Sequence, residues 1–173
     1  MCRSADQGRD PRPLNSKAKG ELAELAFLHK AASLGFGVAK PYGENERYDF
    51  IVDAGERLWR VQVKSAYCVY GLGYRTLGYR RNKKPYKVKE IDFLVAYIAP
   101  RDIWYVIPVR YVATARLLGF YPSGSRLGAY FESYREALAP HGTGRRLDSA
   151  TAGTSPGPCH GLRTERLGMG NSD

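Results

Sequence analysis

The chain reads as an α/β protein built on a mixed central β-sheet of about five strands flanked by helices. Three observations carry that reading. One helix-forming segment is capped at both ends, several runs are rich in Val, Ile, Trp and Tyr, and the elements follow the order α-β-β-β-β-β-α. At 173 residues with 43% hydrophobic residues, the chain has enough apolar material for one domain with extensions. The domain is expected at 15–138, between a flexible arm at 1–14 and a disordered tail at 139–173. The last 35 residues hold no Phe, Tyr or Trp and are dense in Gly, Pro, Ser and Thr.

Asn15 and Ser16 are good N-caps, and the segment from there to Leu34 reads as a helix ended by Gly35 and Gly37. A helical projection places Ser16, Lys19, Lys30 and Ser33 on a polar arc centred on Ala23. A broad apolar arc runs from Ala31 through Leu28, Ala32 and Leu25 to Leu22, with Phe27 at its boundary. Glu21, Glu24 and His29 fall within that apolar arc. Glu21 suits the first turns of a helix, where the dipole favours carboxylates. Glu24 lies deeper, where a buried carboxylate needs a cation or hydrogen bonds, so it is a candidate functional acid. His29 has no second His or Cys at helical spacing and reads as a boundary residue.

Strands follow at Phe36 to Lys40, at Tyr48 to Ala54 and, after a turn at Gly55, at Leu58 to Tyr67. In the second, Phe50 and Val52 share one face while Asp49, Ile51 and Asp53 share the other. In the third, Val61 and Val63 point to a core, and Gln62 and Lys64 point the other way. If the two strands pair, a carboxylate, an amide and an ammonium meet at one end of a hairpin. Singly, Asp49 also suits a strand-start turn, and Lys64 an ordinary surface position.

Residues Cys68 to Lys89 read as a long loop or ribbon. Arg75, Arg80, Arg81, Lys83, Lys84, Lys87 and Lys89 lie there without an acid, interleaved with tyrosines that include Tyr74 and Tyr79. Cations that meet phosphate, mixed with aromatic rings, suit a nucleic-acid surface. Asp92 to Ala99 is nearly continuous apolar, as a central strand should be. Ile103 to Val109 returns, and Pro108 marks a strand end or an edge. Helices are expected at Tyr111 to Leu118 and Ala129 to Leu138, the latter with Phe131, Tyr134 and Leu138 on one side.

The net charge of +10 and pI near 9.6 favour anionic partners. No apolar run is long enough to span a membrane, and the N-terminal residues lack the apolar segment of a secretory signal. Cys2, Cys68 and Cys159 are odd in number and show no metal spacing, which points to reduced thiols in a cytoplasmic protein.

The element order, with Gly20-x-x-x-Glu24, then Asp49, then Gln62-Val63-Lys64 along it, resembles the PD-(D/E)XK nuclease superfamily. The resemblance covers about Lys17 to Leu138. The Gly-x-x-x-Glu helix is similar to that of archaeal Holliday junction resolvases. Glutamine in place of the second acid resembles a smaller branch that includes a group I intron homing endonuclease, as do Arg47-Tyr48-Asp49, Arg60 to Lys64 and Ile103 to Pro108. The resemblance implies a restriction endonuclease-like core and hydrolysis of phosphodiester bonds in double-stranded DNA with Mg²⁺ or Mn²⁺. It implies that Asp49, Gln62, the Val63 carbonyl and Glu24 hold the metal and that Lys64 acts on the attacking water or the phosphate. It also implies a homodimer or homotetramer. A junction-resolving nuclease and a catalytically inactive DNA-binding module are the alternatives.

Overall fold

The computed structural model describes residues 14–43, 45–67, 69–70, 73–80, 83–113, 115–124 and 129–138. The expected tail, and the expected arm except Leu14, lie outside them. The first helix, α1 (Ser16–Ser33), starts as expected: the Asn15 side chain accepts a hydrogen bond from the Ala18 N–H at 2.9 Å. It is followed by β1 (Gly37–Ala39), β2 (Phe50–Asp53) and β3 (Leu58–Ser65). A ribbon of β4 (Val69–Tyr70) and β5 (Gly73–Leu77) comes next, then β6 (Phe93–Ile98) and β7 (Ile103–Pro108). The chain continues through a single-turn α2 (Val109–Val112), β8 (Leu117–Phe120) and a 3₁₀ segment, Ala129–Tyr134.

The main sheet is mixed, in the order β1-β2-β3-β6-β7. All its pairings are antiparallel except β3 with β6. A parallel pair needs a crossover, and here that crossover carries the basic segment. Of the two forms expected, loop or ribbon, it takes the ribbon: β4, β5 and β8 form a second, three-stranded sheet. Thr76 donates to the Ser65 carbonyl at 3.2 Å and so ties this sheet to the end of β3. At the far end of the crossover, Asp92 accepts from the Arg60 backbone N–H at 2.9 Å and from its guanidinium at 3.0 and 3.1 Å. Arg60 also donates to the Lys89 and Val88 carbonyls.

Alternation along the central strands builds two cores. Phe50, Val52, Trp59, Val61, Val63, Phe93, Val95, Trp104 and Val106 face α1. Leu94, Ala96, Ile98, Tyr105 and Ile107 face the second sheet and the C-terminal segment. One face of the sheet is therefore covered by a helix and the other mostly by strands.

Three expectations need correction. The residues of α1 that are buried are Ala23, Phe27 and Ala31, whereas Leu22, Leu25 and Leu28 are exposed. The helix has two apolar stripes, and the sheet takes the one whose small alanines permit close approach. Phe27 then reaches Phe50 and Trp104, at ring distances of 5.4 and 6.1 Å. Second, the stretch from Tyr111 to Leu118 is not one helix, because Leu117–Phe120 pairs with β5 and buries Leu118 and Phe120. Third, of the helix expected over Ala129 to Leu138 only Ala129–Tyr134 is helical, and it is a 3₁₀ segment, which puts Phe131 and Tyr134 on the same side. Glu136, at φ 49°, then redirects the chain. Glu132 accepts from the Tyr105 hydroxyl at 2.6 Å and Glu136 from the Trp104 N–H at 2.9 Å, so this segment covers the open edge of β7.

These corrections are testable in urea denaturation. Phe27→Ala should cost about 3–5 kcal/mol through lost packing and the cavity left behind. Ala23→Leu, harmless if Ala23 faced solvent, should cost about 1–3 kcal/mol by overpacking against the sheet.

Candidate active site

The Asp49 side chain is placed by the backbone on both sides of it. Its own N–H donates to the Val61 carbonyl at 2.8 Å, which extends the β2–β3 pairing by one residue. Its Oδ2 then accepts from the Val63 N–H at 2.7 Å and from Nε2 of Gln62. Gln62 Nε2 also donates to the Val63 carbonyl at 3.3 Å. The hairpin thus brings Asp49, Gln62 and Val63 together as the strand alternation suggested.

Lys64 is on the same strand face as Gln62, two residues along. It is not an exposed lysine: its ammonium sits 5.8 Å from the centre of the Tyr86 ring, and Tyr86 is buried. Glu24 reaches the site from α1. It is on the flank of that helix rather than within a buried arc, with its side chain 27% exposed. Its cation is Lys40, just beyond β1, at 2.9 Å. Glu24, Glu21, Lys40, Tyr48 and Asp49 line one cleft, between the N-terminal half of α1 and the segments flanking β1 and β2.

The electrostatics follow from burial. Loss of solvent pushes the Asp49 carboxyl up to about 6; Glu24 adds to this, while the Val63 N–H, Lys64 and Gln62 oppose it. Burial lowers the Lys64 ammonium below its ordinary value against the pull of Asp49 and Glu24. Lys40 is raised, chiefly by its hydrogen bond to Glu24.

The donors here are hard oxygens: two carboxylates, an amide and a main-chain carbonyl. That chemistry suits Mg²⁺ or Mn²⁺. As it stands, the Gln62 amide turns its N–H₂ toward both Asp49 and the Val63 carbonyl. Rotation about its last bond would present the oxygen instead. Among the described residues there is no group of three or more His, Cys, Asp or Glu poised to hold a metal. With that rotation the residues fit a divalent ion, with less charge than a site containing a second acid in place of Gln62.

The basic segment divides into buried and exposed residues. Tyr74, expected at a nucleic-acid surface, is packed in the core, because β5 turns it toward the main sheet. Arg80 is largely buried and paired with Glu90 at 2.8 Å, so it organises the crossover instead of facing a ligand. Tyr79 is half-buried and bridges to Pro85, and Arg75 is half-buried on β5. Lys83, Lys84 and Lys87 are exposed, as is Lys89. Arg81 lies outside the described residues. Lys84 and Lys87 flank Tyr86 in sequence, and so flank the residue that covers Lys64. Sequence reasoning missed Lys40 and Tyr86. The need of Glu24 for a cation signalled the first, but nothing in the sequence marked the second among its neighbouring tyrosines.

The raised Asp49 carboxyl has a consequence for stability. Between 3.8, its ordinary value, and about 6, the folded chain holds this proton and the unfolded chain does not. The folded state is therefore penalised as pH rises through that window, and the penalty is complete above it. Asp49→Asn should stabilise the protein in chelator by about 2 kcal/mol at about pH 8, with a smaller gain at about pH 5. Urea denaturation at the two pH values measures the difference; an equal gain at both would show that Asp49 is not desolvated.

None among the curated proteins matches the chain. Among solved structures, a bacterial homing endonuclease, I-Ssp6803I, is similar with a TM-score of 0.62 and 29% sequence identity, over 71% of this chain and 88% of that one. A family model described as PD-(D/E)XK endonuclease matches residues 14–117, which include α1, the hairpin and the crossover. The chain belongs to the PD-(D/E)XK endonuclease family.

Proposed function

We propose that this nuclease is a metal-dependent endonuclease that hydrolyses phosphodiester bonds in double-stranded DNA. The observation that carries this reading is the Asp49 carboxylate, held by Gln62 and the Val63 N–H and desolvated within electrostatic reach of Lys64 and Glu24. Asp49 is the principal carboxylate for the metal. The Gln62 and Val63 carbonyls and Glu24 complete the donor set, directly or through water. When bound, Mg²⁺ or Mn²⁺ supplies a Lewis acid for the phosphate and lowers the pKa of water.

The chain's own residues do the rest. Lys64, restrained against Tyr86, orients the attacking water or stabilises charge developing on the phosphate. Glu24 is held in the cleft by Lys40. Lys83, Lys84 and Lys87 offer cations to the DNA backbone. Cutting both strands of a duplex needs two such sites, which a homodimer or homotetramer provides. One observation favours a second reading, a DNA-binding module without catalysis: neutral Gln62 offers an N–H to the oxygens that would take the metal.

Plasmid and branched DNA, each incubated with Mg²⁺ and with chelator, separate these readings. Plasmid cleavage with Mg²⁺ alone is expected. Cleavage confined to branched DNA would identify a junction-resolving enzyme, and binding without cleavage an inactive module. Asp49→Ala and Lys64→Ala should each reduce cleavage by at least about a hundredfold while leaving DNA binding largely intact. Normal cutting by both variants would remove the site.

Neutralising Lys83, Lys84 and Lys87 together should weaken binding across sequences. It should also flatten the dependence of log affinity on log salt by about 0.9 for each phosphate the variant no longer neutralises. An unchanged slope in fluorescence anisotropy would take the crossover out of the DNA interface.

A further inference from the structure

One glycine of α1 is not accounted for by the packing of the chain itself. Gly20 is the fifth residue of the helix, in its interior, where glycine is among the least favourable residues. A Cβ built on it would meet nothing beyond its own stretch of helix within 4 Å among the described residues. No close approach to another part of the described chain therefore requires its small size. Gly43, on the same cleft, differs, because its φ of 84° suits glycine. Gly20 has a helical backbone and no such reason.

What Gly20 faces is the cleft. Ser16, Gly20 and Glu24 recur every four residues on one side of α1, and all three line it. They span about 12 Å of helix, against about 3.4 Å per nucleotide along one strand of a duplex. Glu24, within electrostatic reach of Asp49, stands at one end of this run. The exposed Ser16 and Lys17 stand at the other, a hydroxyl and an ammonium that suit phosphate oxygens. Between the two ends Gly20 presents main chain only. The cleft holds about 380 Å³, at the small end of ligand sites, so a single methyl group counts there. Glu21 and Glu46 also line it, and Lys17 is 3.8 Å from Glu21. Carboxylates thus outnumber lysines, and a phosphate enters most readily with a divalent cation in place.

We propose that Gly20 is a contact point for the DNA strand, where the missing side chain lets the sugar–phosphate next to the scissile phosphate pass against the main chain of α1; this rests on the double-stranded DNA reading above. The contact is one of shape rather than charge, because beyond the first turn the N–H groups of α1 are spent within the helix. A side chain at this position would stand one turn before Glu24 on the same face and push the strand away from the carboxylates.

Gly20→Ala and Gly20→Leu, each in the full chain, test this. Both new residues are better helix formers than glycine, so both variants should raise the urea midpoint. Mn²⁺ affinity, read by calorimetry, should stay at the wild-type level. Affinity for a DNA duplex, read by fluorescence anisotropy with Ca²⁺ in place of Mg²⁺, should fall several-fold for Gly20→Ala. For Gly20→Leu it should fall by about tenfold or more. His29→Ala improves the same helix at an exposed position away from the cleft and should leave duplex affinity unchanged. A lowered midpoint for Gly20→Ala would show that the glycine serves the fold, and lost Mn²⁺ affinity would assign it to the metal site. Duplex binding unchanged by Gly20→Leu, or weakened as much by His29→Ala, would leave no strand beside it. Any of these overturns the proposal. A wild type that binds duplex without cutting sinks the endonuclease reading alone, because this series reads affinity.

Discussion

The site depends on one constraint, the fastening of Asp49 to β3 from both sides of its backbone. The Asp49 N–H on the Val61 carbonyl and the Val63 N–H on its carboxylate fix the residue before β2 in line with the hairpin. That register pairs Phe50 with Val61 and Val52 with Trp59, which sends both hydrophobic sets toward α1. A slip of one residue would turn Val61 and Val63 outward and Gln62 inward. The same alternation that builds the core therefore aims the polar residues at one another. The geometry of the candidate site is a by-product of a register that packing already demands.

The parallel pairing of β3 with β6 imposes the second condition. The chain must leave β3 and come back to the same side, and the returning segment cannot be short. Here it forms β4 and β5, then the Arg80–Glu90 pair, and is anchored on β3 by Arg60 and Asp92. Its path carries Tyr86 onto Lys64. A crossover required by topology thus supplies the wall that desolvates the candidate catalytic lysine. It also leaves a set of lysines exposed beside that wall. The charge balance that results is delicate. Asp49 is buried against a neutral amide, and Glu24 is partnered by Lys40.

The first helix serves the sheet, the cleft and solvent at once. Its alanines and Phe27 pack inward, Glu24 reaches the cleft from the flank, and its leucines face outward. These demands explain why its apolar residues are spread around so much of its circumference. They also show why a projection of this helix alone misleads: the longest apolar arc is not the one that meets the sheet.

The chain's local chemistry was enough to read the strands of the main sheet, their alternation and the cap at Asn15. The period of two and the capping geometry act over a few residues, so they are visible in order along the chain. For the same reason Asp49, Gln62 and Lys64 could be placed on one hairpin face, and Pro108 at the end of an edge strand. What depended on distant partners was not readable. The inward face of α1 was chosen by the space over Phe50 and Trp104. The choice between loop and ribbon for the basic segment was settled by β8, some forty residues further on, which pairs with it. Tyr74 and Arg80 look like a surface ring and a surface cation until that pairing buries the first and Glu90 engages the second. Glu24 finds Lys40, and Lys64 finds Tyr86, only across the folded core. Sequence patterns report the preferences of neighbours, whereas burial and ion pairing are decided by residues that meet only after the sheet has closed.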